Sequence, residues 1–171
     1  MVRALVCPGQ GSQSIGMGKL LADEYSSAKA VFEEVDEALG ENLSSLIWEG
    51  DIEELTLTQN AQPALMAMSL AALRGLESEG FKTKNCAYFA GHSLGEYSAL
   101  SAAGYLDFSD TLKLLRIRGD AMQNSVPEGK GTRPRLRLLV GFGLNAIFSL
   151  PVLNAVPGLY IKGQNNSRAK S

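Results

Sequence analysis

A serine between two glycines, directly after a short apolar run, is the feature that most constrains the fold of this chain. The run CAYFA occupies residues 86–90, the motif GHSLG follows at 91–95, and good helix-forming residues come next. Small residues two positions before and after a serine relieve the crowding of a sharp strand-to-helix turn. The pattern therefore predicts a nucleophile elbow at Ser93 and a helix over 96–103. A glycine-bounded loop whose serine merely caps a helix is the alternative.

Composition narrows the class of protein. The chain has 171 residues, of which 45% are hydrophobic and 20% charged, as in a globular domain with a real core. No apolar run approaches the roughly 18 residues that span a bilayer, and residues 1–7 are too short for a secretory signal. Cys7 and Cys86 lie in apolar runs without a metal-binding spacing. We therefore expect reduced core cysteines, no metal site, no membrane partner and a cytoplasmic location.

Charge divides the chain near residue 130. Ten basic against 18 acidic residues give residues 1–130 a net charge of −8, whereas six basic and no acidic residues give 131–171 a net charge of +6. A basic segment can bind nucleic acid or an acidic partner, but these six charges form no helical stripe. We expect no nucleic-acid partner, and a segment foreign to the domain before it. Residues 136–142 are its one strand-like stretch.

Strand-like runs alternate with helical patterns along the first 130 residues. Residues 2–7 and 86–90 have the pattern of buried strands, and a glycine-rich loop follows the first of them. A helix that is apolar almost all round is expected over 61–77, with Pro63 in its first turn. Shorter helices are expected over 18–39 (in two segments) and over 42–48. This alternation predicts an α/β fold in which the two strands are parallel neighbours covered by helices.

An arginine lies within the apolar stripe of the last predicted helix, which begins after Asp107. Leu115, Arg118 and Met122 fall on one face at helical spacing. Burying a guanidinium without a partner is costly, so a partner is expected. That partner is an internal carboxylate such as Glu96, or solvent reached by the end of the side chain, or a substrate carboxylate bound by two nitrogens. Periodicity does not decide between these alternatives.

Four ordered motifs over residues 1 to about 130 resemble the malonyl-CoA:acyl carrier protein transacylases of type II fatty acid synthesis. They are PGQGSQ at 8–13, TQNAQPAL at 58–65, GHSLGEY at 91–97, and Arg118-Gly119 followed by Met122-Gln123. The fold implied by this resemblance is a partial acyltransferase main domain of α/β-hydrolase-like type, with parallel strands and flanking helices. Residues 1–130 would be its N-terminal part, and 131–171 a divergent basic tail that does not match the family.

The resemblance also implies roles for individual residues. Ser93 would attack a malonyl thioester and hold the acyl group as an ester. The backbone N–H groups of Leu94 and Gln10 would bind the oxyanion, and Arg118 would bind the free malonyl carboxylate. The implied partners are malonyl-CoA and acyl carrier protein. Coenzyme A would enter and leave as part of substrate and product, without a metal or redox cofactor.

The chain departs from the family in two respects. The family uses a histidine far downstream of the serine as general base, whereas His92 is the only histidine in this sequence. Because adjacent side chains on an elbow project in different directions, we expect a structural role for His92. The family's pattern stops at Gly131, so we expect a truncated reading frame, as from a frameshift or a pseudogene.

Three functions follow from these observations. The first is malonyl transfer from coenzyme A to acyl carrier protein through an acyl-serine, in fatty acid biosynthesis. The second is hydrolysis of simple esters or thioesters by the same serine. The third is a non-catalytic fragment that binds carrier protein or coenzyme A, which would follow from truncation.

Overall fold

The chain alternates strands with helices, as its sequence predicts. The structure, a computed structural model, describes residues 2–125 and the backbone of residues 147–149. In chain order the elements are β1 (Arg3–Cys7), α1 (Lys19–Glu24), α2 (Ser26–Leu39), α3 (Leu43–Glu49), α4 (Ile52–Thr56), α5 (Thr58–Ser78), β2 (Cys86–Gly91), α6 (Leu94–Ala102), α7 (Phe108–Asn124) and β3 (Ile147–Ser149). A short 3₁₀ turn, Thr83–Asn85, precedes β2. The short helix α4 has no counterpart in the sequence prediction.

The sheet places the ends of its first two strands at one edge. β1 and β2 are parallel neighbours, with Leu5 opposite Phe89 and Cys7 opposite Gly91. β3 pairs antiparallel with the other side of β2. The predicted parallel pairing is therefore confirmed, while the strand expected at 136–142 lies outside the described residues. Because both parallel strands end at the same edge, the segments that follow them meet there.

Helix α5 runs through the middle of the helical layer. Four consecutive residues, 64–67, are each at most 2% exposed, so neighbours cover every side of the helix. This all-round burial is what its apolar sequence predicts. Phe32 and Val35 of α2 and Leu112 of α7 belong to the same buried cluster. None of the helices in the described part is long and apolar enough to cross a bilayer.

Helix α5 begins at Thr58, three residues before its predicted start, so Pro63 lies inside the helix and not in its first turn. A proline has no N–H, so the carbonyl four residues earlier, that of Gln59, loses its helical donor. Arg116 replaces this donor, because its Nη1 lies 3.0 Å from the Gln59 carbonyl oxygen. The longer helix therefore depends on a tertiary contact that the local sequence does not show.

The two cysteines are free and buried, as predicted. They are 4% and 2% exposed, and burial raises the pKa of the Cys7 thiol to about 11. Because the thiolate is the reactive form, we expect the folded chain at pH 8 to react with an aromatic disulfide reagent at least ~100-fold more slowly than in urea. Absorbance of the released thiolate measures both rates. Rapid modification of either thiol in the folded chain would contradict this packing.

Candidate active site

The segment between β2 and α6 forms a strained turn with Ser93 at its tip. Ser93 has φ 58° and ψ −111°, and in residues 2–125 it is the one non-glycine residue with positive φ. Residues other than glycine avoid this region unless their surroundings hold them there, and such strain clusters at functional sites. The Ser93 side chain makes no capping hydrogen bond to α6. The predicted strand–turn–helix is therefore present, and the capping alternative is not.

Gly91 and Gly95 make this turn possible by allowing backbone contact. A β-carbon on Gly91 would clash with the carbonyl group of Gly95. A β-carbon on Gly95 would clash with the Cys7 carbonyl and would lie 2.6 Å from the carbonyl oxygen of Pro8. Each contact is closer than real β-carbons tolerate. The second glycine thus lets the start of α6 pack directly against the end of β1.

The loop after β1 is fixed to the end of α4 and the start of α5. The side-chain amide of Gln10 donates to the Thr58 hydroxyl at 3.4 Å, and that of Gln13 donates to the Thr56 hydroxyl at 3.4 Å. Within the loop, the Ser12 hydroxyl donates to the carbonyl of Gly9 at 3.1 Å. These bonds hold the Gln10 backbone in a fixed place near the sheet edge. The resemblance gives this loop a role in binding the oxyanion, but the sequence does not reveal its attachment to α4 and α5.

Two backbone N–H groups at this edge have no acceptor among the described residues. In the part of the chain that the structure describes, no residue accepts a hydrogen bond from the N–H of Gln10 or Leu94. Leu94 is the first residue of α6, where N–H groups have no helical partner and the helix dipole is positive. The His92 N–H, by contrast, donates to the carbonyl of Cys7 at 3.3 Å. The free N–H groups suit binding of a developing negative charge.

His92 packs against the first loop. A β-carbon on Gly9 would clash with His92 Nδ1 and would lie 2.9 Å from the His92 carbonyl oxygen, so the ring covers this glycine. The imidazole is exposed and makes no hydrogen bond to Ser93 or to another side chain of the described residues. This placement favours the expected structural role over that of a base for Ser93.

Arg118 of α7 reaches the turn and contacts Ser93. Its Nη2 donates to Ser93 Oγ at 3.1 Å, and its Nη1 donates to Gln62 Oε1 at 2.5 Å. Its Cζ lies 5.6 Å from the centroid of the Tyr97 ring. Of the carboxylates in the described ranges, none lies within 4.0 Å of this guanidinium, so the salt bridge with Glu96 that the sequence allowed is not formed. The guanidinium therefore keeps an uncompensated positive charge beside a hydroxyl.

The contact with Arg118 also orients the Ser93 hydroxyl. A guanidinium has only donors, so Ser93 Oγ accepts this hydrogen bond through a lone pair. The hydroxyl hydrogen must then point elsewhere, toward solvent or a proton acceptor. The second lone pair stays available for attack on a carbonyl carbon.

Close packing of α7 on the start of α5 sets the position of Arg118. A β-carbon on Gly119 would lie 2.5 Å from Cα of Gln59, so the two backbones nearly touch. The side chain of Gln123 accepts a hydrogen bond from the Thr58 N–H at 3.2 Å and so caps α5. The sequence motifs contain these residues but assign them no role. The pattern that could have revealed this contact is a glycine and an amide, Gly119 and Gln123, in one motif and a polar segment, Thr58-Gln59, in another.

A serine on a strained elbow, a free N–H group at the start of the next helix and an arginine without a carboxylate partner in the described residues are the groups that acyl transfer through a serine would need. The acyl transferase domain family matches residues 4–136. The chain therefore belongs to the acyl transferase domain family, and the predicted α/β fold is confirmed. The division of the chain at residue 130 stays a prediction.

Individual relatives give the resemblance more detail. The chain is 54% identical over 128 residues to the malonyl CoA-acyl carrier protein transacylase of Bacillus subtilis strain 168, which covers 75% of this chain and 39% of that protein. The crystal structure of an acyl-carrier-protein-S-malonyltransferase from Bartonella henselae matches with a TM-score of 0.71 and 57% identity, over 74% of this chain and 40% of that one.

A second solved structure shows a related malonyl-transacylase in complex with its type II polyketide acyl-carrier protein. It matches with a TM-score of 0.71 and 44% identity, over 75% of this chain and 41% of that one. The predicted resemblance to the malonyl-CoA:acyl carrier protein transacylases is confirmed. The chain spans about two fifths of the length of these relatives.

Proposed function

We propose that this chain transfers a malonyl group from coenzyme A to acyl carrier protein through an ester on Ser93. The observation that carries the proposal is the 3.1 Å contact between Ser93 Oγ and Arg118 Nη2. It joins a strained nucleophile to a cation that no carboxylate of the described residues neutralises. The relatives named malonyltransferases support the choice of acyl group and acceptor.

The proposed transfer has two chemical steps. Ser93 Oγ attacks the thioester carbonyl of malonyl-CoA and loses its proton, while the N–H groups of Leu94 and Gln10 bind the oxyanion. The carbon–sulfur bond then breaks, and coenzyme A leaves as its thiol, which leaves malonyl bound to Ser93 as an ester. In the second step the phosphopantetheine thiol of the carrier protein attacks this ester and frees the serine.

The short distance between the Arg118 guanidinium and the Ser93 hydroxyl supports a malonyl substrate. The Arg118 guanidinium touches Ser93 Oγ directly, so a carboxylate that binds it must lie very near the carbonyl carbon that Ser93 attacks. In a malonyl group one methylene separates the two carbons, whereas longer diacids would place the carboxylate beyond the guanidinium. A methyl branch on that methylene would keep the same spacing. The malonyl carboxylate can bind the Arg118 guanidinium through two oxygens, whereas an acetyl group has no carboxylate to offer.

The proton that leaves Ser93 needs an acceptor, and the sequence offers one histidine, whose ring lies on the first loop. We therefore expect slow acylation of this chain whose rate rises roughly tenfold per pH unit between pH 7 and 9, since hydroxide replaces the base. Intact-mass spectra over time measure the rate. A rate that levels off just above neutral pH would indicate an imidazole base and would contradict the role given to His92.

An intact-mass experiment tests the proposed function. The chain is incubated with malonyl-CoA, and carrier protein with a phosphopantetheine arm is then added. An adduct that passes to the carrier supports malonyl transfer. An adduct that decays to free malonate without loading the carrier supports the hydrolase alternative. No adduct at all contradicts both, and the Ser93→Ala variant is the control for labelling elsewhere.

The proposal uses coenzyme A as the substrate's carrier. It requires no metal or redox cofactor, and this absence stays a prediction, as does the cytoplasmic location. Malonyl-CoA and acyl carrier protein are the proposed partners.

A further inference from the structure

Gln62 is a fully buried polar side chain on α5, and both ends of its amide are engaged. It is 0% exposed; its Oε1 accepts from Arg118 Nη1 at 2.5 Å, and its Nε2 lies 3.5 Å from Met122 Sδ. A thioether sulfur can only accept, and a guanidinium can only donate. The amide therefore has one orientation that satisfies both neighbours, with its oxygen toward Arg118. Flipping it would set two donors against each other.

Helix α7 carries a second arginine, Arg116, whose partners differ from those of Arg118. Arg116 Nη2 lies 2.7 Å from Glu41 Oε2, and Arg116 Nη1 donates to Asn60 Oδ1 at 2.5 Å. A carboxylate thus neutralises Arg116, whose role is to support α5. Arg118, two residues further along α7, also donates Nη1 to an amide oxygen, that of Gln62, but its Nη2 meets the Ser93 hydroxyl where Arg116 has the Glu41 carboxylate. The chain therefore orients one arginine with a carboxylate and the other without one.

We propose that Gln62 is a positioning residue for carboxylate recognition by Arg118. It fixes the guanidinium beside Ser93 through a neutral acceptor, so the positive charge stays available to a substrate carboxylate. The inference rests on the proposed function, in which that carboxylate belongs to malonyl-CoA. It adds a residue, and a reason for its chemistry, to the site.

An amide at position 62 suits this role better than a carboxylate or an apolar side chain. A carboxylate at position 62 would be a permanent counter-ion for Arg118, and a substrate carboxylate would have to compete with it. An apolar side chain would leave one N–H of a half-buried guanidinium without an acceptor and would release the orientation of Arg118. Only a neutral acceptor gives both a fixed direction and a free charge.

Three variants of the full chain test this inference. Q62E has nearly the same shape and adds a counter-ion, while Q62M keeps the length and removes the acceptor. N60D is the matched control, because residue 60 lies on α5 like Gln62 but contacts Arg116 and not Ser93 or Arg118. It therefore adds a carboxylate beside an arginine outside the site. It also removes the amide donor to the Glu54 carbonyl. Calorimetric titration gives the Kd of malonyl-CoA and of acetyl-CoA for each variant, and thermal melting gives its stability.

The expected results separate positioning from structural support. The unsubstituted chain should bind malonyl-CoA about 10- to 100-fold more tightly than acetyl-CoA, since the added contact is charge-assisted. Q62E should reduce this preference to about threefold or less without a lower melting temperature, because the new ion pair holds the helices together. Q62M should lose about tenfold of the preference, and N60D should keep it. Acetyl-CoA affinity should change little in all three.

Either of two results in the variants would overturn the assignment of Gln62. One is a Q62E variant, or a Q62M variant if Q62E does not fold, that keeps the full malonyl preference. The other is a preference that falls in step with the melting temperature in all variants, N60D included. An unsubstituted chain without preference would also refute it. Because acylation of this chain is expected to be slow, the titration measures binding. A chain that shows the preference but forms no ester therefore refutes the transfer function and not the role of Gln62.

Discussion

Alanine at position 95 is expected to lower the free energy of unfolding by about 3 kcal/mol or more, a large part of the stability of a domain this size. The added β-carbon would clash with the carbonyl of Cys7 and lie 2.6 Å from that of Pro8. These are backbone atoms of the last residue of β1 and of the residue after it, so relief requires α6 to move away from the sheet. Urea denaturation followed by circular dichroism measures the change.

Gly75→Ala is the matched control for this prediction. Gly75 lies inside α5, and its β-carbon would be 3.4 Å from Leu21 Cδ1, an ordinary contact with a flexible side chain. Alanine there should raise stability by about 0.5–1 kcal/mol, because glycine is a poor helix former. If Gly95→Ala proved as stable as the unsubstituted chain, the close packing of Gly95 against Cys7 and Pro8 would be refuted.

Arg118→Ala is expected to slow malonyl labelling of Ser93 by about 10²- to 10³-fold and to leave acetyl labelling within a few-fold of its original rate. The guanidinium is the cation that contacts Ser93 Oγ, and no carboxylate of the described residues competes for it. Losing it removes a charge-assisted contact that only the malonyl carboxylate uses. Initial rates of adduct formation from the two thioesters give the ratio.

Arg118→Lys separates charge from geometry in this prediction. Lysine keeps the positive charge but lacks the planar fork, so we expect an intermediate loss of malonyl labelling. Equal losses of malonyl and acetyl labelling in Arg118→Ala would show that the arginine supports the fold or the serine in general. Its role in recognising a carboxylate would then be refuted.

The elbow could be predicted because its determinants are local. Residues 86–95 contain the strand, the turn and both glycines, and the clash that excludes a side chain at Gly91 involves Gly95, four residues away. The parallel pairing of β1 and β2 could also be predicted, because both runs are apolar and helices separate them. Helix α4 was missed because its five residues, Ile52–Thr56, are too short to show periodicity.

The rest of the site depends on contacts between distant segments. The start of α5 was misplaced because Pro63 predicts a first turn, whereas Arg116, from another helix, supplies the missing donor. Gln62 belongs to a sequence motif but was given no role, because its partner Arg118 is 56 residues away. Periodicity left the partner of Arg118 open, since a helical stripe does not reveal what faces it across the core.

Mapping the acyl group to one residue tests the central claim most directly. The chain is incubated with malonyl-CoA and digested with trypsin, and fragment spectra are recorded for the peptide that spans 85–113, the cleavage interval that contains the elbow. The proposed mechanism predicts one malonyl group on Ser93, and none in Ser93→Ala. A malonyl group on another residue, or labelling that survives in Ser93→Ala, would contradict it.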